Sequence, residues 1–390
     1  MLQGGNLEVT PMGPLVRQPV VVPSLPAVPL RVDGTLPEGL DGLFLRADPH
    51  PARAPRQDVP DVLPGPSLVS GARLEGGAAH AYRATAERGP TGLLGPVPAL
   101  APAWHRDQGP DGRGPVTLAR PVADEDGRWH TVATYPGLGY AEHLVADGRG
   151  AVLEARPFPL TGAPLVATVA LTGSHVVFFD GPVAHSRATA LVGERFPCTW
   201  RPGGPARLGL LDRTGEPSVR WFPVEPGHVH DIAGAHEDGR RVVVDAVRRP
   251  RAFDGERSAA RPAALRRWVV DPVAGEVAER DLVPGVAAAA VDGPVLHGTR
   301  NTASGAELVR YDTATGRTGV RWLGGGATAG RPHVDRGRLL VPVERPGRRR
   351  AELLVLDAAD PAGPPAAVVH LPAGARPARR TAWLPAPPRG

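Results

Sequence analysis

Short apolar runs separated by Asp-Gly pairs constrain this sequence more than any other feature. Asp-Gly occurs at 33–34, 41–42, 111–112, 126–127, 147–148, 180–181, 238–239, 254–255 and 292–293. Both residues tolerate a positive φ, so the pair is a strong hairpin signal between two strands. Helical periodicity is almost absent, and the apolar runs at 176–179, 241–244 and 339–343 predict strands. The pattern therefore predicts an all-β fold, which could be a sandwich, a barrel or a propeller.

The length of the chain favours the propeller among these. The 390 residues would accommodate many blades of roughly 40–50 residues each. Apolar residues make up 42% of the chain, which is enough for a sizeable core. We predict one propeller domain over 1–390, in which the Pro-rich stretch 1–30 is an extended N-terminal arm.

The sequence excludes several other classes of protein. No stretch approaches the ~20 apolar residues that span a bilayer, and Arg17, Pro19 and Pro23 interrupt what would be a signal peptide. We therefore expect a cytoplasmic protein. The single cysteine, Cys198, rules out an internal disulfide framework and a zinc site built from several cysteines. We interpret it as a small buried hydrophobe rather than as a nucleophile.

The positive net charge suggests that the chain binds nucleic acid, but the distribution of the charged residues argues against this. The net charge is +5, the pI is near 10.2, and all 45 basic residues are arginine. With 49 Gly and 47 Pro, this composition is typical of a GC-rich genome such as that of an actinobacterium. The arginines are scattered among 40 acidic residues, and the only dense run is 348–350. We therefore expect no nucleic-acid partner.

Several segments resemble the carotenoid cleavage oxygenases. The opening signature of that family matches 36–51 at Leu36, Pro37, Leu40, Gly42, Phe44, Arg46, Pro49 and Pro51. Further matches cover 161–182, 196–250, 264–277, 307–318 and 351–372, with deletions between 90 and 120. The resemblance implies a seven-bladed β-propeller with a loop- or helix-built dome over an axial site. It also implies an Fe(II) held by four histidines with three supporting glutamates, and a hydrophobic tunnel in which O₂ cleaves an alkene.

The positions that match the four iron ligands do not carry histidine. They are occupied by Arg120, Ala167, Asp231 and Arg380, although a one-residue slip would put His230 at the third. A guanidinium does not lose its proton in a protein, and alanine has no donor atom. Glu237 keeps one of the supporting carboxylates. The resemblance therefore implies a degenerate iron site, and we expect no cofactor.

The replacements suggest metal-free chemistry at the same place. Arg120 and Arg380 could bind a carboxylate, a phosphate or an enolate oxygen. Asp231, His230 and His228 could serve as general acid or base, if burial and neighbouring charges move their pKa values toward neutrality. With Glu237, these six are the candidate catalytic residues. We predict a cyclase, isomerase or lyase that acts on an apolar polyene, isoprenoid or polyketide-like substrate in specialised metabolism.

Two alternatives stay open at this point. The arginines could pair with Asp231 and Glu237 and plug the axis, which would make the protein a noncatalytic hydrophobic-ligand-binding pseudoenzyme. Alternatively, Fe(II) could be held by recruited histidines, the nearest in sequence being His130, His143, His175 and His185, and the protein would be an alkene-cleaving dioxygenase. Under each of these three hypotheses the partner is a small apolar molecule, which could carry an anionic end. A peripheral membrane contact and the oligomeric state stay open.

Overall fold

The structure is a computed structural model that describes residues 28–49, 67–86, 103–105, 115–148, 150–192, 196–254, 262–348, 350–372 and 380–386. These residues form thirty β-strands and one short α-helix. The described part of the chain is therefore all-β, as the turn pattern predicts.

The strands and the helix follow one another along the chain with these bounds: β1 Val32–Gly34, β2 Gly42–Pro49, β3 Ser67–Glu75, β4 Ala78–Ala86, β5 Ala103–His105, β6 Val116–Leu118, β7 Val122–Ala123, β8 Trp129–Thr134, β9 Tyr140–Ala146, β10 Val152–Pro159, β11 Ala170–Leu171, β12 His175–Asp180, β13 Val183–His185, α1 Arg187–Leu191, β14 Cys198–Trp200 and β15 Arg207–Asp212. The second half continues with β16 Val219–Pro223, β17 His228–Asp238, β18 Arg241–Arg249, β19 Ala264–Asp271, β20 Glu276–Pro284, β21 Ala288–Asp292, β22 Val295–Asn301, β23 Gly305–Asp312, β24 Thr318–Gly325, β25 Thr328–Ala329, β26 His333–Asp335, β27 Arg338–Glu344, β28 Glu352–Asp357, β29 Ala367–His370 and β30 Arg380–Pro385.

Six antiparallel sheets of four or more strands form the blades, which we number in the order in which they pack. Blade I has the order β30-β2-β3-β4, blade II β10-β9-β8-β6-β5 with β7 on β8, and blade III β11-β12-β15-β16. Blade IV is β17-β18-β19-β20, blade V is β21-β22-β23-β24, and blade VI is β1-β29-β28-β27-β25 with β26 on β27. The first and last described strands close the ring, because β30 pairs with β2 and β1 pairs with β29.

Apolar side chains from neighbouring blades pack between each pair of sheets around this ring. Phe178 of blade III packs with Val132 of blade II, and Trp268 of blade IV packs with Phe179 of blade III. Leu45 of blade I shares a cluster with Trp129 of blade II, so these two sheets also meet directly. The described residues thus close a propeller with six sheets of at least four strands, where the family resemblance implies seven blades. The junction of blades I and II is the place where the resemblance has its deletions, between 90 and 120.

A hairpin and a short helix are inserted in blade III, whereas the dome over the axis stays a prediction. Strands β13 and β14 pair with each other and lie, with α1, between the second and third strands of that blade. Ser186 caps α1 by accepting a hydrogen bond from the N–H of Thr189 at 3.3 Å. In the part of the chain that the structure describes, no helix has the length and apolar content to cross a membrane.

Four of the nine predicted Asp-Gly turns and the three predicted strands are confirmed. The pair at 33–34 lies within β1, those at 41–42 and 180–181 do not connect paired strands, and those at 111–112 and 254–255 lie wholly or partly outside the described residues. The Asp-Gly pairs at 126–127, 147–148, 238–239 and 292–293 each connect two paired antiparallel strands. The apolar runs at 176–179, 241–244 and 339–343 lie within β12, β18 and β27. Most of the predicted arm at 1–30 lies outside the described residues, but Leu30 donates its N–H to the carbonyl of Ala79 at 2.9 Å along β4.

Candidate functional site

Arg120 is fixed at the inner edge of blade II by its backbone. It lies between β6 and β7 and forms a parallel bridge with Thr168, just before β11 of blade III. Its N–H donates to the carbonyl of Ala167 at 2.9 Å, and its Nη2 lies 3.3 Å from Oγ1 of Thr168. Two of the positions predicted to match iron ligands, 120 and 167, are therefore neighbours in space.

Asp231 lies at the centre of the site, on β17 of blade IV. Its Oδ1 accepts a hydrogen bond from Nη2 of Arg120 at 2.7 Å and another from Nη1 of Arg331. Its Oδ2 accepts from the N–H of Ala289 at 3.1 Å. Only 4% of the Asp231 side chain is exposed, whereas Arg120 and Arg331 keep 15% and 16%. We refer to these three residues as the Arg120–Asp231–Arg331 cluster.

The two guanidiniums determine the ionisation of the cluster. Burial alone would raise the pKa of Asp231, but the charges of Arg331 and Arg120 outweigh burial and hold that pKa below its ordinary value. We expected the pKa of Asp231 to move toward neutrality, and that expectation is wrong. Because its pKa is lowered, the carboxylate is a weak base. Burial and the neighbouring Arg120 lower the pKa of Arg331 to about 10, which still leaves it charged at neutral pH. The cluster has two positive charges and one negative charge.

His333 of blade VI connects this cluster to blade I. Burial, followed by the charges of Arg331 and Arg120, lowers the pKa of His333 well below its ordinary value, so the imidazole is neutral. Its Nε2 lies 3.0 Å from Oγ1 of Thr381 on β30. Arg380, one residue before Thr381, is buried at the start of the same strand. The predicted guanidinium pair of Arg120 and Arg380 is thus replaced around Asp231 by Arg120 and Arg331.

His230 and His228 lie on β17 beside Asp231, and they contact Ala287 and Phe253, respectively. Nε2 of His230 lies 2.9 Å from the carbonyl oxygen of Ala287, so this nitrogen carries the proton. Asp231, and not His230, accepts the hydrogen bonds of the two arginines. The His228 ring contacts Phe253 edge-on, with 5.5 Å between ring centroids.

Glu237 lies away from the site, which corrects its predicted place as a supporting carboxylate. It is six residues beyond Asp231 on an extended strand, a separation of roughly 20 Å. Its Oε1 accepts from Oγ1 of Thr172 at 2.8 Å and from the N–H of Ser174 at 2.9 Å, and both bonds lower the pKa of Glu237. Since Glu237 is exposed at the far end of β17, it has a structural role at the junction of blades III and IV.

The histidines that could have been recruited for a metal bind other groups. Nδ1 of His130 lies 3.0 Å from Nε2 of His143, and Nε2 of His130 lies 3.0 Å from Asp124 Oδ2. Nε2 of His175 lies 2.9 Å from Nη2 of Arg220. His185 lies on β13 of the inserted hairpin. The described residues contain no group of three or more His, Cys, Asp or Glu side chains able to hold a metal ion.

Sequence reasoning missed Arg331 and His333. Both lie in the inner part of blade VI, where the chain forms only the short strands β25 and β26 after a Gly-rich turn. No apolar run marks a strand there. The one available signal is that two ionisable residues flank Pro332 directly after that turn.

The comparison with known proteins identifies the family. The family model described as retinal pigment epithelial membrane protein matches residues 97–378, well over half of the chain. The chain belongs to this family. Its members among curated proteins include a carotenoid cleavage oxygenase of Mycobacterium tuberculosis, 25% identical over 342 residues, with 64% of this chain and 68% of the relative covered. An apocarotenoid-15,15′-oxygenase of Synechocystis is 24% identical over 262 residues, with 58% and 53% covered.

Solved structures of two bacterial oxygenases share the fold. The lignostilbene dioxygenase of Pseudomonas brassicacearum superposes with a TM-score of 0.73 at 18% identity and covers 92% of this chain and 95% of its own. A cobalt-substituted apocarotenoid oxygenase of Synechocystis gives 0.70 at 17% identity, with 91% and 95% covered. The family resemblance and the propeller predicted from the sequence are therefore confirmed.

Proposed function

We propose that this chain is a metal-independent member of its family that binds an apolar molecule with an anionic end at the propeller axis. The supporting observation is the charge of the Arg120–Asp231–Arg331 cluster. One carboxylate neutralises one of two guanidiniums, and both guanidiniums keep about 15% of their surface exposed. The remaining positive charge favours a second anion at the site, and guanidinium forks bind carboxylate and phosphate bidentately.

The donor set supports the loss of iron from this site. Iron sites use imidazole and carboxylate ligands with free lone pairs. Here Arg120 and Ala167 stand at two of the matched positions and supply none, and both oxygens of Asp231 accept hydrogen bonds from neighbouring residues. The relatives are named as oxygenases of carotenoids, apocarotenoids and stilbenes. From these names we carry over the apolar substrate class as a proposal, and not the oxygen chemistry. The cytoplasm stays our own proposal for the location.

Catalysis of the isomerase, cyclase or lyase type is the second candidate, because His333 is held neutral beside surplus positive charge. A neutral imidazole can accept a proton, and the adjacent guanidiniums would stabilise an enolate-like oxygen as it forms. Asp231 is less suited to that role, since both of its carboxylate oxygens already accept hydrogen bonds. If the chain has no catalytic activity, we propose that it is a binding protein for the same kind of molecule.

Two measurements on the full chain test the proposal. Protein from iron-supplemented cells should contain less than about one-tenth of an iron per chain, because the site lacks imidazole ligands. All-trans-retinoic acid, a polyene carboxylate, should raise the melting temperature by a few degrees, since a ligand that binds only the folded state stabilises it. All-trans-retinol, which lacks the charge, should have a much smaller effect.

Variants show where the acid binds. Arg331→Gln and Arg120→Gln should each abolish most of the stabilisation by retinoic acid. Arg317→Gln, which removes the same charge from an exposed turn of blade V, should leave it unchanged. About one iron per chain, or equal stabilisation by retinol and retinoic acid, would refute the proposal. If the chain converts a polyene acid without added metal, and His333→Phe abolishes this turnover, the protein is an enzyme rather than a binding protein.

A further inference from the structure

A pocket lies between blades V and VI, on residues that the axial site does not use. Its volume is about 410 Å³, within the range of sites for small molecules. One wall is β24 of blade V, with Arg321 and Trp322. The other wall comes from blade VI, with Arg345, Arg348 and His370 among its residues. The pocket includes the start of the arginine run at 348–350.

One part of the pocket has a surplus positive charge because Glu352 serves two arginines. The Glu352 side chain is only 4% exposed, and its Oε2 accepts from Nε of Arg345 at 2.8 Å. Its Oε1 accepts from Nη1 of Arg348. A single carboxylate therefore neutralises one of two guanidiniums that line the pocket.

Arg321 adds a second positive charge. Its Nη1 donates to the carbonyl oxygens of Pro361, at 2.8 Å, and Gly363. These neutral acceptors fix the position of the guanidinium but do not cancel its charge. Among the residues that the structure describes, no carboxylate lies within ion-pair distance of Arg321.

The remaining acid of the pocket is already paired. Asp33 Oδ1 lies 2.9 Å from Nε of Arg31, and its Oδ2 lies 2.8 Å from Nε2 of His370. Asp33 therefore adds no unpaired negative charge. Once the neighbouring Arg31 is counted against Asp33, the pocket keeps about two positive charges for a ligand, which matches a phosphate monoester at pH 7.

Trp322 provides an aromatic surface beside these charges. It is 50% exposed, although large aromatic side chains are ordinarily buried. Gly305 lies directly under its ring, and a Cβ at that position would be 2.8 Å from the ring. The glycine thus lets the indole lie against β23, with surface left for a planar group to stack on.

We propose that this pocket binds a small phosphate monoester that carries a planar ring, such as a mononucleotide. The phosphate would meet Arg321 and the Arg345–Arg348 pair, and the ring would stack on Trp322. The proposal does not depend on the function of the axial site.

Isothermal titration of the full-length chain with AMP tests this proposal. We expect saturable binding that Arg321→Gln and Trp322→Ala each weaken by at least about tenfold, which corresponds to ~1.4 kcal/mol. Arg317→Gln, with the same change of charge at an exposed site in the same blade, should bind AMP within about twofold of the unchanged chain. Arg120→Gln should also leave AMP binding intact, because it alters only the axial site.

Adenosine and inorganic phosphate separate the two halves of the ligand. Each should bind much more weakly than AMP, because each supplies one of the two contacts. Adenosine binding as tightly as AMP would overturn the role of the arginines, and phosphate binding as tightly as AMP would overturn that of Trp322. Absence of saturable AMP binding to the folded chain would overturn the proposal as a whole. Urea melts of each variant would show that a loss of binding is not a loss of folding.

Discussion

Nη2 of Arg120 and Oδ1 of Asp231 lie 2.7 Å apart although the residues are 111 positions apart in the chain. This ion pair joins blade II to blade IV, which are not neighbours because blade III packs between them. Arg331 of blade VI bonds to the same carboxylate oxygen. Asp231 therefore holds together inner segments of three blades that share no strand pairing.

The first prediction concerns the stability that Asp231 provides. Asp231→Asn should lower the free energy of unfolding by about 3–5 kcal/mol, because it leaves two shielded guanidiniums without a counter-charge. Glu307→Gln is the matched control, since its partner Arg300 is 27% exposed and Glu307 itself is 23% exposed. That change should cost about 1 kcal/mol or less. Urea denaturation at pH 7 measures both, and equal losses would contradict the central role of Asp231.

The second prediction is the pH dependence of this contribution. The pKa of Asp231 in the folded protein lies below the ordinary 3.8. Its contribution is therefore fully present above the unfolded-state value and is lost as the pH falls through the folded-state value. The stability difference between the unchanged chain and Asp231→Asn should be constant from about pH 7 to 5 and shrink below about pH 4. A difference that shrinks between pH 7 and 5 would mean that the pKa is not lowered.

Local signals and the family alignment predicted the strands and half of the site. Four of the Asp-Gly pairs form hairpins, because the hairpin signal is local. Arg120 contacts Ala167 through its backbone and Asp231 through its side chain, so three positions that the family resemblance singled out lie together. Glu237 was misplaced because β17 continues for eleven residues through two register shifts, which carry its end away from the axis.

The other half of the site depends on contacts that no local pattern encodes. Arg331 is exactly 100 positions from Asp231 in the chain and lies beside strands too short to show alternation. The count of blades likewise depends on whether blades I and II pack directly. Their contact through Leu45 and Trp129 is a tertiary fact that the turn pattern does not contain.

The third prediction concerns Gly71, which lies opposite Leu45 in blade I. A Cβ at this position would lie 1.8 Å from the carbonyl oxygen of Phe44, which is backbone and cannot move aside. Gly71→Ala should therefore cost about 3 kcal/mol or more of stability. Gly39→Ala is the control, because nothing lies within 4 Å of its Cβ position, and it should be neutral or slightly stabilising. Comparable urea midpoints for the two variants would contradict the packing of β2 on β3.

The fourth prediction concerns His297, which is completely buried in β22 of blade V. Neither ring nitrogen has a hydrogen-bond partner within the described residues. Burial lowers the pKa of His297 from 6.5 to about 4. Because the unfolded chain binds a proton first as the pH falls, stability should be lost between about pH 6.5 and 4, by roughly 3 kcal/mol for this residue. His297→Leu should remove that part of the pH dependence, whereas His236→Leu, at an exposed position, should retain it. An unchanged slope in His297→Leu would show that His297 titrates normally.

The fifth prediction concerns Cys198, the single cysteine of the chain, at the start of β14. It is 6% exposed and packs in an apolar cluster with Leu165, Val183 and Phe196. Burial raises the pKa of its thiol to about 12, so almost no thiolate is present at neutral pH. Iodoacetamide should therefore label the native protein very slowly and label one thiol per chain after unfolding in guanidinium chloride. Phe196→Ala should speed up native-state labelling because it loosens the cluster, while Leu191→Ala, at a position 87% exposed on α1, should not. Rapid labelling of the unchanged native protein would show that the inserted hairpin is open and that Cys198 is reactive rather than structural.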